Sequence, residues 1–212
     1  MTSAPVRLPP HAPGMRIGLF GGSFDPPHEG HALVSRLALT RLRLDRLWWI
    51  VSPGNPLKDA SELPSIDARI AAAKKIVRDP RVAFTGFEAE IGARYTADTI
   101  DFLHARCPGV RFVWIMGADN LLQFHLWRRW RDIALTTPIA IIDRPGATLK
   151  AANAKAAVYL SRARLPERDA ALLAVTPPPA IVYLHGPRIE RSSTQLREEG
   201  YLRSKKGSIQ RL

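Results

Sequence analysis

The stretch MRIGLFGGSFDPPHEGHALVSRLAL occupies residues 15–39, and its middle decides how the rest of the chain is read. Met15 to Phe20 form a short apolar run, the pattern of a buried strand. Gly21 and Gly22 open a turn, Pro26 and Pro27 stiffen it, and apolar residues recur at helical spacing from Ala32 to Leu42. His28 and His31 stand at the handover, on one face of the first helical turn, because residues three apart are neighbours on a helix. Such a handover suits an anion. Glycines let the backbone approach a ligand without a Cβ, and a helix start offers unpaired N–H groups with a partial positive charge.

Working outward, short apolar runs alternate with helical patterns. Strands are expected at 16–20, 47–52, 82–87, 110–117, 138–143 and 180–186. Helices are expected over Ala32 to Leu42, Ser65 to Arg78, Thr96 to Arg106, Leu121 to Ile133 and from Ser193, with Ser65 as an N-cap. Residues 151–179, closed by Pro177-Pro178-Pro179, read as a helix plus connector. Strands rich in Val, Ile and aromatics that alternate with helices predict an α/β fold, a doubly wound, mostly parallel sheet. Ligands of such sheets sit beyond the C-terminal strand ends, where the strand order reverses, so the loop after the first strand is a privileged place.

The 212 residues predict a single domain over 15–200, a mobile leader at 1–14 and a basic tail at 201–212. The leader carries three prolines in its first eleven residues and no apolar core, unlike a secretory signal. No run approaches the roughly 18 apolar residues that span a bilayer. The lone Cys107 excludes an internal disulfide, fits a reducing cytoplasm and reads as a packed or semi-exposed free thiol rather than a nucleophile. The net charge of +12 attracts polyanions in general. It is spread over RLALTRLRLDR, WRRWRD, SRARLPERD and YLRSKKGSIQRL, as solvated helix faces and a basic tail would spread it. No nucleic-acid module is recognisable, and the basic residues do not interleave with aromatics in one stripe, so no nucleic-acid or membrane partner is expected.

Two familiar phosphate loops are absent: there is no G-x-x-x-x-G-K-[ST], and no G-x-G-x-x-G in this turn. A zinc site would need three or four protein ligands, and no Cys/His cluster accompanies the histidine pair, so no metal ligand is assigned. GGSFDPPHEGH (21–31) is similar to the G-[ST]-F-D-P-x-H-x-G-H signature of the HIGH-type nucleotidyltransferase superfamily, and RSSTQLR (191–197) resembles its second signature, [IV]-S-S-T-x-[IL]-R. Within it the chain most resembles the bacterial nicotinate-nucleotide adenylyltransferases. VSPGNPLKD, ARYTADTI, IMGADNLLQFHLWRRW and IIDRPG carry that likeness from about Met15 to Arg197.

The resemblance implies a Rossmann-like nucleotidyltransferase fold and the transfer of AMP from ATP to nicotinate mononucleotide. The products are deamido-NAD, an intermediate of NAD biosynthesis, and pyrophosphate, with Mg²⁺ carried by the phosphates. By the same resemblance Ser23 and His28 hold phosphate oxygens, His31 stabilises charge on the α-phosphate and Arg197 grips the leaving pyrophosphate. Gly21, Gly22 and Phe24 shape the nucleotide pocket, and Ser192, Ser193 and Thr194 supply donors at the last helix's start. Gly117 allows close approach of the adenosine. Asp119 accepts from ribose hydroxyls, with an N-cap as its alternative role. Trp127 stacks on the pyridine ring, Tyr95 and Thr96 present backbone N–H groups to its carboxylate, and Lys58 and Arg144 meet the mononucleotide phosphate. Three departures stand out: Leu57 where many relatives have His, Arg191 where an aliphatic residue is usual, and a short basic end after Arg197. The last leaves homo-oligomer formation open. A sibling transferase using another phosphorylated acceptor, such as phosphopantetheine, would share both signatures but would not require Thr96 and Trp127.

Overall fold

The strands carry near-continuous apolar runs, as a parallel sheet covered on both faces requires. A computed structural model describes residues 6–54, 63–143 and 153–186. Among these residues seven strands form one sheet: β1 (Arg16–Gly22), β2 (Arg46–Val51), β3 (Val82–Thr85), β4 (Arg111–Gly117), β5 (Ile139–Ile142), β6 (Arg164–Leu165) and β7 (Ile181–Leu184). Their order is β3-β2-β1-β4-β5-β7-β6, and every neighbouring pair is parallel. The chain winds outward from β1 to β3, returns to the centre at β4 and winds out the other way. The order therefore reverses between β1 and β4, and their C-terminal ends mark the crevice.

Alternation along each strand splits the core into two layers. Ile17, Leu19, Trp48, Ile50, Phe112, Trp114, Met116, Ile139 and Ile141 face one side. Phe20, Leu47, Trp49, Val51, Val113, Ile115, Ala140 and Ile142 face the other. The first layer is covered by α4 (Thr96–Arg106), α5 (Ala118–Phe124), α6 (Trp130–Thr136) and α7 (Lys155–Tyr159), and the second by α1 (Glu29–Arg41), α2 (Ile66–Ile76) and the 3₁₀ segment Glu167–Val175. Sheet and coverage match the expected doubly wound architecture.

Four local features differ from the sequence expectations. The helix expected over 121–133 is two helices, because Arg129 adopts a left-handed φ of 54° between them. Its guanidinium bonds Asp101 at 2.7 Å and Asp132 at 2.8 Å, which ties the break to α4 and α6. The connector at 151–179 holds α7, the edge strand β6 and two 3₁₀ segments, and a four-residue helix α3 (Phe87–Glu90) follows β3. Residues 6–14, expected as a leader, contact the domain. Val6 and Leu8 pack on the core, His11 meets Trp48 edge-on at 5.8 Å, and the Gly14 N–H donates to the Gly109 carbonyl at 2.8 Å.

Gly18, in β1, is fixed by space. A Cβ there would lie 2.6 Å from both Ile115 Cδ1 and Leu44 Cδ1, and 2.8 Å from Leu47 Cδ1. Overpacking of this kind costs about 1–3 kcal/mol. Gly18→Ala should lower the stability read from a denaturant midpoint by that amount, and an unchanged midpoint would contradict the close packing.

Candidate active site

β1 ends in Gly21 and Gly22, β4 in Gly117, and between these ends lies a cleft of about 380 Å³, within the range of small-molecule sites. Gly21 lines that cleft. Its missing Cβ makes room for the Trp114 indole, whose Cη2 would stand 2.8 Å from it. Trp114 thereby becomes a wall of the cleft.

α1 begins at Glu29, earlier than expected, so the histidines start the helix. His28 is its N-cap. The Gly30 N–H donates to His28 Nδ1 at 3.1 Å, and the His28 N–H donates to His31 Nδ1 at 3.2 Å. This is a reciprocal capping box built from two imidazoles. Their rings lie 3.8 Å apart, His28 is 4% exposed, and His31 lines the cleft. An imidazole that accepts at Nδ1 carries its hydrogen on Nε2. Capping therefore fixes both rings as Nε2–H donors, the polarity that phosphate oxygens require.

Aromatic packing holds His31 from the side. Phe24 sits at φ 49°, a strained position for a non-glycine residue, and stacks on Trp49 at 4.4 Å. The Phe24 ring meets His31 at 5.1 Å. Trp49 Nε1–H donates to Ser35 Oγ at 2.8 Å, and the Ser35 hydroxyl donates to the His31 carbonyl at 3.0 Å.

The turn carrying Ser23 is pinned from behind by Arg69, on α2 and only 3% exposed. Its guanidinium donates to the carbonyls of Ser23 at 2.7 Å, Ser52 at 2.9 Å and Pro64 at 2.9 Å. Burial pulls its affinity for protons down, and the nearby Asp25 charge partly opposes this.

At the other end of the cleft, Tyr95 is the N-cap of α4 and Thr96 its first residue. Trp127 is half-buried, edge-on to Phe124 at 5.4 Å and to Trp114 at 6.3 Å, so one margin belongs to the core while the residue lines the cleft. Glu88 lines it too and accepts from the Thr99 hydroxyl at 2.7 Å. Burial pushes the Glu88 carboxyl up, against a smaller opposing effect of Thr99.

Of the expected site residues, Gly21, Gly22, Ser23, Phe24 and His31 line the cleft from the β1 side, and Gly117, Tyr95, Thr96 and Trp127 from the other. His28 is outside the cleft lining, its ring 3.8 Å from that of His31. Asp119 is exposed in the first turn of α5 and outside the cleft lining; the N-cap there is Gly117. Lys58, Arg144, Ser192, Ser193, Thr194 and Arg197 lie outside the described residues, as do Leu57, Arg191 and the helix expected from Ser193. Cys107 is 2% exposed at the end of α4, and burial pushes its thiol up, away from nucleophilic character. Sequence reasoning missed Arg69, Glu88 and Trp114. Arg69 carried a signal, since it shares the buried face of α2 with Ala73 four residues on. Glu88, in a helix of four residues, carried none.

A family profile described as cytidylyltransferase-like matches residues 19–199. A probable nicotinate-nucleotide adenylyltransferase of Methylorubrum extorquens is 58% identical over 183 residues, covering 86% of this chain and 99% of that protein. A probable nicotinate-nucleotide adenylyltransferase of Agrobacterium fabrum is 56% identical over 183 residues, covering 86% of this chain and 98% of that one. Among solved structures, Plasmodium falciparum nicotinic acid mononucleotide adenylyltransferase complexed with APC matches with a TM-score of 0.64 at 16% identity. That match covers 87% of this chain and 83% of that chain, and shows a shared fold.

Arg69 gives the site a structural test. Arg69→Met removes the donors to three carbonyls on three segments, and each buried acceptor left unsatisfied costs about 1–3 kcal/mol. The expected loss of stability is roughly 2–4 kcal/mol by chemical denaturation, the acceptors being partly rehydrated. A loss under about 0.5 kcal/mol, the ordinary surface range, would show that the loops hold without it.

Proposed function

This chain belongs to the nicotinate-nucleotide adenylyltransferase family, and from that premise we propose that it transfers AMP from ATP to nicotinate mononucleotide, giving deamido-NAD and pyrophosphate. A phosphate oxygen of the mononucleotide attacks the α-phosphorus of ATP in line. The bond from that phosphorus to the oxygen bridging the β-phosphate breaks, and pyrophosphate leaves with the electron pair. The nucleophile belongs to the substrate, so the protein's task is positioning and charge stabilisation.

The observation that carries this reading is the His31 ring in the cleft wall, its Nδ1 occupied by the His28 N–H. In the proposed complex His31 donates from Nε2 to the α-phosphate as charge builds, while His28 and Ser23 hold phosphate oxygens. Gly21, Gly22 and Phe24 bound the nucleotide, and Gly117 and Asp119 serve the adenosine. Trp127 stacks on the pyridine ring, and Tyr95 and Thr96 offer α4 backbone N–H groups to its carboxylate. Lys58 and Arg144 are assigned to the mononucleotide phosphate, Ser192, Ser193 and Thr194 to ATP, and Arg197 to pyrophosphate. Among the described residues no three His, Cys, Asp or Glu side chains are grouped so that they could hold a metal ion, and Mg²⁺ is assigned to the substrate phosphates. Bound there, Mg²⁺ would screen the phosphate charge. Among the described residues no helix is long and apolar enough to cross a membrane, and the lone Cys107 suits a reducing cytoplasm.

Purified protein incubated with ATP, Mg²⁺ and a panel of phosphorylated acceptors, scored by pyrophosphate release, tests the proposal. Nicotinate mononucleotide should give the highest kcat/KM, exceeding nicotinamide mononucleotide roughly 10- to 100-fold. Equal use of the two, or preference for phosphopantetheine, would overturn the acceptor assignment. His31→Ala should lower kcat roughly 10²- to 10³-fold with ATP affinity little changed, the signature of a donor that acts on the transition state. Near-normal turnover would remove that role.

A further inference from the structure

The break between α5 and α6 sends two consecutive arginines in opposite directions. Arg129 turns outward into Asp101 and Asp132. Arg128 turns to the cleft, which it lines, and places its guanidinium carbon 4.8 Å from the centroid of the Tyr95 ring. Arg94, the residue before Tyr95, lines the same wall. Among the described residues neither Arg94 nor Arg128 has an ion-pair partner. Glu88 is the one cleft-lining carboxyl among the described residues, and it accepts from the Thr99 hydroxyl. Two guanidinium groups thus border the acceptor end of the cleft with no anion among the described residues paired to them.

A guanidinium laid on an aromatic face keeps its edge N–H donors available, and those donors form a fork that matches two oxygens at once. Backbone N–H groups at the start of α4 discriminate weakly between ring substituents, since a carboxamide oxygen also accepts. A fork does not share that tolerance: a carboxylate offers it two acceptors, whereas a carboxamide offers one acceptor and turns an NH₂ donor toward a donor. We infer that Arg128 is the specificity-determining residue for the acceptor, closing over the ring bound beside Tyr95 and taking its carboxylate, with Arg94 adding a second cation. This rests on the proposed use of a nicotinate mononucleotide acceptor.

The test compares kcat/KM and calorimetric Kd for nicotinate and nicotinamide mononucleotides in wild type, Arg128→Ala, Arg128→Lys and Arg94→Ala. Arg128 is exposed, so its replacement leaves the core untouched, as an unchanged melting temperature would verify. Arg128→Ala should lower kcat/KM and affinity for the carboxylate acceptor about tenfold while moving the carboxamide acceptor less than about twofold. Arg128→Lys should recover only part of the preference, because an ammonium has charge without the fork. Arg94→Ala should cost less than Arg128→Ala. A wild-type preference that survives in Arg128→Ala, or an equal loss for both acceptors, overturns the inference and leaves the function standing. A wild type without preference overturns the acceptor assignment and this inference together.

Discussion

The two hydrogen bonds that join the backbone at His28 and Gly30 to the rings of His31 and His28 are the interaction on which the site depends. Serine or aspartate would start α1 equally well and satisfy the same N–H groups. An imidazole does something more. It has a second nitrogen, and a cap that occupies Nδ1 decides that Nε2 bears the hydrogen. The act of starting the helix therefore also sets the polarity of the imidazole offered to the cleft, at the end of α1 that carries positive potential.

That arrangement is rigid because it closes on itself. The His31 carbonyl accepts from Ser35, Ser35 accepts from the Trp49 indole, the face of Trp49 carries Phe24, and the edge of Phe24 returns to the His31 ring. The circuit joins α1 to β2 and to the turn after β1. It gives the left-handed Phe24 the packing that offsets its backbone strain. Arg69 clamps the same turn from the α2 side, and the empty Cβ position of Gly21 lets Trp114 complete the opposite wall. Preorganisation of this kind is where a transferase that supplies no nucleophile of its own gains its rate, since donors already in place need no rearrangement as phosphate charge develops.

The parallel sheet was legible because Val, Ile and aromatic runs alternate with 3.6-period segments, and the crevice because parallel sheets bind ligands where strand order reverses. The histidine pair was legible from its spacing at a strand-to-helix turn. The direction of the capping bonds was not, since spacing puts two rings on one face without saying which backbone group each accepts from. The split of α5 from α6 was hidden for a similar reason. WRRWRD keeps helical apolar spacing through the break, where the left-handed Arg129 is bonded to Asp101 on α4 and to Asp132. Gly21 was read as room for a ligand; it lines the cleft, and what the sequence did not show is that a Cβ there would meet the Trp114 indole. Arg128 was one of several arginines in a basic stretch, and its place over Tyr95 depends on that same break.

Imidazole nitrogen NMR on protein with isotope-labelled histidine, resonances assigned through His28→Gln and His31→Gln, tests the central claim most directly. Both rings should carry hydrogen on Nε2 with Nδ1 unprotonated and accepting, and the Nε2 signal of His31 should move when an unreactive ATP analogue is added. Hydrogen on Nδ1 of either ring would contradict the capping box as the device that sets the chemistry of the site.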